Sequence, residues 1–138
     1  MTDFLNKSGQ MENEYLSKKK ILIVEDDVSS RLYLNKILEK TGASLLSACD
    51  GKEAIEAAKA NPDIDIILMD IQLPLIDGYG AAKVIRELRK NVIIIAQTAY
   101  SLLGDREKII ASGFDDYVVK PIFPQQLIEK LTKFSMKI

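Results

Sequence analysis

Histidine is absent from this 138-residue chain, and cysteine occurs once, at Cys49. Without histidine, and with a single thiol, the usual zinc and haem sites are excluded. Acid–base catalysis by imidazole is excluded as well. One cysteine rules out an internal disulfide and suits a reducing compartment; Cys49 itself reads as a small core hydrophobe. No apolar run approaches the roughly 18–20 residues of a membrane span, and Met1 to Ser17 lacks the apolar stretch of a signal peptide. These absences imply a cytoplasmic chain that does not insert in a membrane. Nor is there an excess of one charge. A formal net charge of −1 argues against bulk electrostatic binding to nucleic acid or to an acidic membrane surface. Chemistry is left to carboxylates, hydroxyls and lysines.

What the chain does contain is alternation. Residues 1–17 show no period and read as a loose arm, a short helix or a linker; residues 18–138 read as one folded domain. Lys18-Lys19-Lys20 is a solvated flank. Ile21-Leu22-Ile23-Val24 is short and wholly apolar, the signature of a strand buried on both faces. A helix over 29–40 carries Leu34, Ile37 and Leu38 at helical spacing and stops at Gly42. A modest strand follows over 43–48. Asp50 stands three residues before Glu53 as a cap for the next helix, which Asn61-Pro62 closes. The run from Ile64 to Asp70 is a second buried strand, and Asp77-Gly78 opens a third helix with Ala81, Val84, Ile85 and Leu88 on one side. Val92 to Ala96 is another buried strand, ending at Gln97-Thr98. A helix from about Asp105 to Ala111 stops at Gly113, and Asp116 to Val119 is a short strand. The last helix starts at Pro124 and buries Leu127, Ile128, Leu131 and Phe134. Five strand–helix alternations imply an α/β fold: a doubly wound, five-stranded parallel sheet of order 2-1-3-4-5 with five helices.

The strand ends share one property. Strand one finishes in Glu25-Asp26, strand three in Asp70, strand four in Thr98 and strand five in Lys120. In a parallel sheet these ends lie along one edge, the edge where open α/β sheets bind ligands. Clustered carboxylates raise each other's proton affinity unless a cation neutralises them. Oxygen ligands of this kind suit Mg²⁺, with Mn²⁺ as a substitute. Asp70 is then placed to act as a nucleophile on phosphorus, with Lys120 and the Thr98 hydroxyl facing the oxygens of the transferred group. Asp27 and Asp77 read as helix caps. Asp63, Asp65, Asp115 and Asp116 read as solvated turn acids.

Four separated blocks also carry a family pattern: Ile21-Leu22-Ile23-Val24-Glu25-Asp26-Asp27; Leu68-Met69-Asp70-Ile71-Gln72-Leu73-Pro74 with Asp77-Gly78; Thr98-Ala99; and Tyr117-Val118-Val119-Lys120-Pro121. Over about residues 19–135 the chain resembles the CheY-like receiver domain of bacterial two-component response regulators. The resemblance implies a phosphoacceptor switch in a His–Asp phosphorelay. Asp70 takes a phosphoryl group from a histidine kinase or a histidine phosphotransfer protein. Asp26 and Asp70 ligate the metal directly, Glu25 acts through water, and the Gln72 backbone carbonyl completes the set. Thr98 and Tyr117 form the switch pair, although Tyr117 also reads as a half-buried strand aromatic. The resemblance further implies a cis Lys120-Pro121 bond and output through the surface of the fourth helix, fifth strand and fifth helix, toward an unidentified effector or a phosphorylation-dependent homodimer. Such a domain is a stoichiometric acceptor with self-dephosphorylation, not an enzyme acting on an external substrate.

The resemblance also implies that Gln72 and Tyr100 flank the pocket, where a tyrosine at 100 is bulky enough to shield the acyl phosphate. Two other functions stay open. One is a metal-dependent phosphohydrolase that passes through an aspartyl phosphate, against which Gln72 stands where a second acid is needed. The other is an unphosphorylated interaction module, against which the intact Asp26, Asp70, Thr98 and Lys120 stand. A flavodoxin-like cofactor binder lacks its phosphate loop after strand one. The stretches over 73–78 and 97–100 look more like receivers of hybrid sensor histidine kinases than stand-alone regulators, which would make residues 1–17 a linker and the chain the cytoplasmic portion of a membrane sensor. No DNA-reading region follows Lys137, so no direct nucleic-acid contact is expected.

Overall fold

A computed structural model of the chain describes residues 3–5, 11–99 and 103–138. Among them are five parallel strands: β1 (Lys20–Val24), β2 (Ser44–Ala48), β3 (Ile66–Asp70), β4 (Ile93–Thr98) and β5 (Asp116–Val119). The helices are α1 (Val28–Glu39), α2 (Gly51–Ala60), α3 (Gly78–Leu88), α4 (Leu103–Ala111) and α5 (Pro124–Ser135). The sheet runs β2-β1-β3-β4-β5, the order anticipated. The wholly apolar runs take the interior: every residue of β3 and β4 is buried.

Side-chain parity divides that interior in two. Leu22, Val24, Ile67, Met69, Ile94 and Ala96 face Ala54, Ala81, Ile85 and Ile109 on α2, α3 and α4. Ile21, Ile23, Ile66, Leu68 and Ile95 face Leu34, Leu38, Leu127 and Leu131 on α1 and α5. With no Gly or Pro inside these strands, the ladder is unbroken.

Helix starts follow local chemistry. Asp27, Asp50 and Asp77 accept from the backbone N–H of Ser30, Glu53 and Gly80 respectively, satisfying donors that the first turn leaves free. Gly42 and Gly113 take φ of 86° and 100° just beyond α1 and α4, where a side chain would be strained.

Three expectations change. Cys49 is exposed rather than a core residue, because it lies one residue past the end of β2, which is an edge strand. Asp65 and Asp115 are not merely solvated. Asp65 accepts from Lys20 N (2.9 Å), and Asp115 accepts from Ile94 N (2.8 Å) and pairs with Arg86 (2.8 Å), so each serves a backbone donor at a strand start. Asp63 and Asp116 do pair at the surface, with Lys20 and Lys130.

The third change concerns residues 1–17, expected as a loose arm or short helix. Asp3–Leu5 and Met11–Asn13 pair as antiparallel strands. Asn13 then caps the turn that follows: its Oδ1 accepts from Tyr15 N and Leu16 N, and its Nδ2 donates to Thr132 Oγ1 on α5 (3.0 Å). Leu16 is fully buried against the α1/α5 core. Leu16 falls in no apolar period along this stretch, so this docking was invisible in the sequence. Asn13→Ala removes both a cap and a buried side-chain bond. We expect it to cost about 2 kcal/mol, read as a fall of roughly 5–10 °C in Tm; an unchanged melt would show the turn to be loosely held.

Candidate functional site

Five side chains from four separate stretches of the sequence arrive at the carboxyl edge of the sheet. Glu25 follows β1 and is 1% exposed; Asp70 ends β3 and is 4% exposed; Thr98 ends β4, also buried. Asp26 beside Glu25 stays exposed. Lys120 follows β5, where its N–H donates to Thr98 O (2.8 Å), so β5 delivers it over β4 toward β3. The Lys120-Pro121 bond is cis, as the resemblance implied.

Carboxylate oxygens of Glu25, Asp26 and Asp70 lie within 4.8 Å of one another. Lys120 Nζ is 2.7 Å from Asp70 Oδ2 and 3.5 Å from Glu25 Oε1. Asp70 Oδ1 accepts from Gln72 N (2.9 Å), and Glu25 Oε2 accepts from Asp27 N (3.2 Å). Asp70 is therefore held at both oxygens. One ammonium faces three acids. A hard divalent cation fits this donor set, all oxygen and open to solvent on the Asp26 side.

The electrostatics follow from crowding. Burial, reinforced by the charge of Asp70 and opposed by the Asp27 N–H and Lys120, pushes the Glu25 carboxyl up to about 7. Burial pulls the Lys120 ammonium down, but Asp70 first and Glu25 second outweigh it, so Lys120 is raised. In the metal-free protein the raised Glu25 means that the folded state holds a proton the unfolded state has released. Stability then falls as pH rises from about 4.5 to about 7, by on the order of 2–3 kcal/mol. Glu25→Gln removes the titration. In EDTA its Tm should exceed that of the wild type at pH 8 and match it near pH 4; parallel pH profiles would refute this.

Tyr117 is half-buried on the α2–α4 face of the sheet. Lys130 donates to its carbonyl (2.6 Å) and sits 5.5 Å over its ring. Gln72 is exposed beside Asp70, while Tyr100 lies outside the described residues. Asp27, Asp63, Asp65, Asp77, Asp115 and Asp116 stay out of the carboxylate cluster, as expected of caps and turn acids.

Two site-shaping residues escaped the sequence. Arg31 Nη1 donates to Glu25 O (2.9 Å), tying α1 to the acidic loop; an arginine in a first helical turn gives no sign of this. Gly78 was read only as a helix opener, yet a Cβ there would lie 2.4 Å from Asp70 O and 2.6 Å from Ile71 Cα. Its N–H also donates to Ile71 O (2.8 Å). The backbone that carries Asp70 is thus packed directly on the start of α3.

Known proteins share this arrangement. The family model described as "Response regulator receiver domain" matches residues 21–132. A hybrid signal transduction histidine kinase I of Dictyostelium discoideum is 38% identical over 128 residues, covering 87% of this chain and 7% of the kinase. This chain spans half or less of the curated relatives it matches here. A structure of the Saccharomyces cerevisiae phosphotransfer protein Ypd1 with the receiver domain of Ssk1 superposes with a TM-score of 0.82 at 35% identity, covering 86% of this chain and 90% of that one. The receiver domain of the Pseudomonas aeruginosa sensor kinase PA1611, with magnesium coordinated in its active-site cleft, does so at 0.78 and 36% identity, over 86% and 98%. The sheet order, the gathered acids with their lysine and the family match together make this chain a member of the response regulator receiver domain family, a phosphoacceptor domain of phosphorelay systems.

Proposed function

We propose that Asp70 is the phosphoacceptor and takes its phosphoryl group from a phosphohistidine on a histidine kinase or histidine phosphotransfer protein. The carrying observation is the Lys120 ammonium 2.7 Å from a buried carboxylate that shares a cluster with two others. An Asp70 oxygen forms the new O–P bond as the P–N bond to the donor imidazole breaks, and the electron pair returns to the ring nitrogen. Asp26, Asp70 and the Gln72 carbonyl would hold Mg²⁺, with Glu25 acting through water. The ion, when bound, neutralises the acids and the incoming oxygens. Lys120 balances charge on the transferred group, and the Thr98 hydroxyl donates to it. The Thr98 and Tyr117 pair then biases the face of α4, β5 and α5 toward an effector or a second copy, a population shift between two states. The domain acts stoichiometrically and clears its own phosphoryl group.

Incubation with acetyl phosphate and Mg²⁺ tests this. One phosphoryl group per chain, prevented by EDTA, is the expected result. Steady hydrolysis of a phosphomonoester would favour the hydrolase alternative, and absence of labelling would favour the bare interaction module.

We further propose a docking surface for the donor. Val28, Leu32 (61% exposed), Leu75 (85% exposed) and Phe123 present apolar side chains on the elements bordering the site, and Leu75 does so from φ 68°, a conformation that costs a leucine about 1–2 kcal/mol. A protein donor must press a histidine into this cleft, and such a rim excludes water around it. Leu32→Glu should slow transfer from a histidine phosphotransfer protein at least about tenfold while leaving acetyl phosphate labelling unchanged. Equal loss with both donors would refute the docking role.

A further inference from the structure

Gln97 has no assigned task, yet its place is unusual. Register pairs Val24 with Met69 and Asp70 with Gln97, so Glu25, Asp70 and Gln97 form one row across three strands, about 4.8 Å apart. All three point to the α1/α5 face, where the residues preceding them in the same positions are isoleucines and a leucine. Gln97 is 1% exposed. Neither its Oε1 nor its Nε2 has a hydrogen-bond partner among the described residues. Burying an amide in this way is costly, and apolar side chains fill the rest of the strand. Gln97 also lines a cleft of about 250 Å³ whose polar wall includes Glu25, Ser30 and Lys120 and whose apolar wall includes Tyr33, Leu34 and Ile122.

Asp70 Oδ1 is already served by Gln72 N and Oδ2 by Lys120. Once phosphorylated, Asp70 becomes an acyl phosphate whose remaining acyl oxygen is far less negative than the phosphoryl oxygens. Lys120 is drawn to the latter. The acyl oxygen then loses the ammonium, and the neighbour in the row is a neutral donor with no hydrogen-bond partner among the described residues. We infer that Gln97 is a positioning residue for Asp70, its Nε2 donating to the aspartyl side chain as the phosphoryl group arrives and in the acyl phosphate that results. This rests on the phosphoacceptor role proposed above.

The test uses the uniformly ¹⁵N-labelled chain, with the Gln97 side-chain amide resonances identified by their loss in Gln97→Met, a substitution that keeps length and removes both polar atoms. On labelling with acetyl phosphate and Mg²⁺, the Gln97 Nε2 protons should shift downfield and exchange more slowly. Gln97→Met should lower the maximal labelling rate about tenfold, the worth of one such bond, with KM for acetyl phosphate and Mg²⁺ affinity unchanged and Tm not reduced. Unmoved Gln97 resonances in a wild-type chain that has become labelled would overturn the inference, as would Gln97→Met labelling at the wild-type rate. Should the variant fail to fold, the wild-type resonances alone decide, assigned by through-bond correlation. A wild-type chain that takes no label overturns the phosphoacceptor role itself, and this inference with it.

Discussion

Asp70→Asn will take up no phosphoryl group at residue 70 under conditions that label the wild type, a loss of at least about a thousandfold, or roughly 4 kcal/mol of barrier. The carboxamide is nearly the same shape, and its oxygen can still accept from Gln72 N, as Asp70 Oδ1 does at 2.9 Å. The loop should therefore survive. What disappears is the negative oxygen that can attack phosphorus. Lys120 loses its charged partner at 2.7 Å and retains Glu25 at 3.5 Å. One of three clustered carboxylates is gone, so Mg²⁺ binding should weaken as well, by about tenfold or more. Intact mass and Mg²⁺ titration read the two effects separately. Labelling that persists at residue 70 in this variant would end the nucleophile assignment.

Gly78→Ala should be severely damaging for the addition of a single methyl group. The added Cβ would meet main-chain atoms, Asp70 O at 2.4 Å and Ile71 Cα at 2.6 Å, not the flexible end of a side chain. No rotamer relieves that. Either α3 lifts from β3, exposing part of the Ala81, Ala82 and Ile85 face that packs into the core, or the backbone bearing Asp70 moves. Overpacking of this kind costs about 3 kcal/mol, a fall of roughly 10 °C in Tm. Because the displaced atoms belong to Asp70 and its neighbour, labelling should fall together with stability. A substitution at Gly80, where a Cβ would meet only Ile76 Cγ2 at 3.3 Å and Asp77 Oδ1 at 3.6 Å, is the control. Equal melts for the two variants would show that the close approach is easily relieved.

Much of the site could be read before any coordinates, because parallel strands force their carboxyl ends to one edge. Glu25, Asp26, Asp70, Thr98 and Lys120 each stand at or just past the end of an apolar run, and such runs have one place to go. Caps were equally legible at Asp27, Asp50 and Asp77, since a capping carboxylate acts within three residues of itself. Contacts that depend on crossing the sheet were not. Nothing in Arg31, Gly78 or Gln97 announces its neighbour, and the Asp65 and Asp115 bonds to strand-start amides join residues 45 and 21 positions apart.

From residue 18 onward, local pattern alone therefore determined which segments are strands or helices, their winding order, and which acids could gather, because periodicity and capping are short-range effects. Tertiary structure decided the rest: that Asn13 and Leu16 dock on α5, that Cys49 reaches solvent, that Lys120 closes on Asp70, and that a buried amide stands beside it. Those outcomes depend on register and layer packing, where a residue's partner is set by distance in space and its position along the chain says nothing of it.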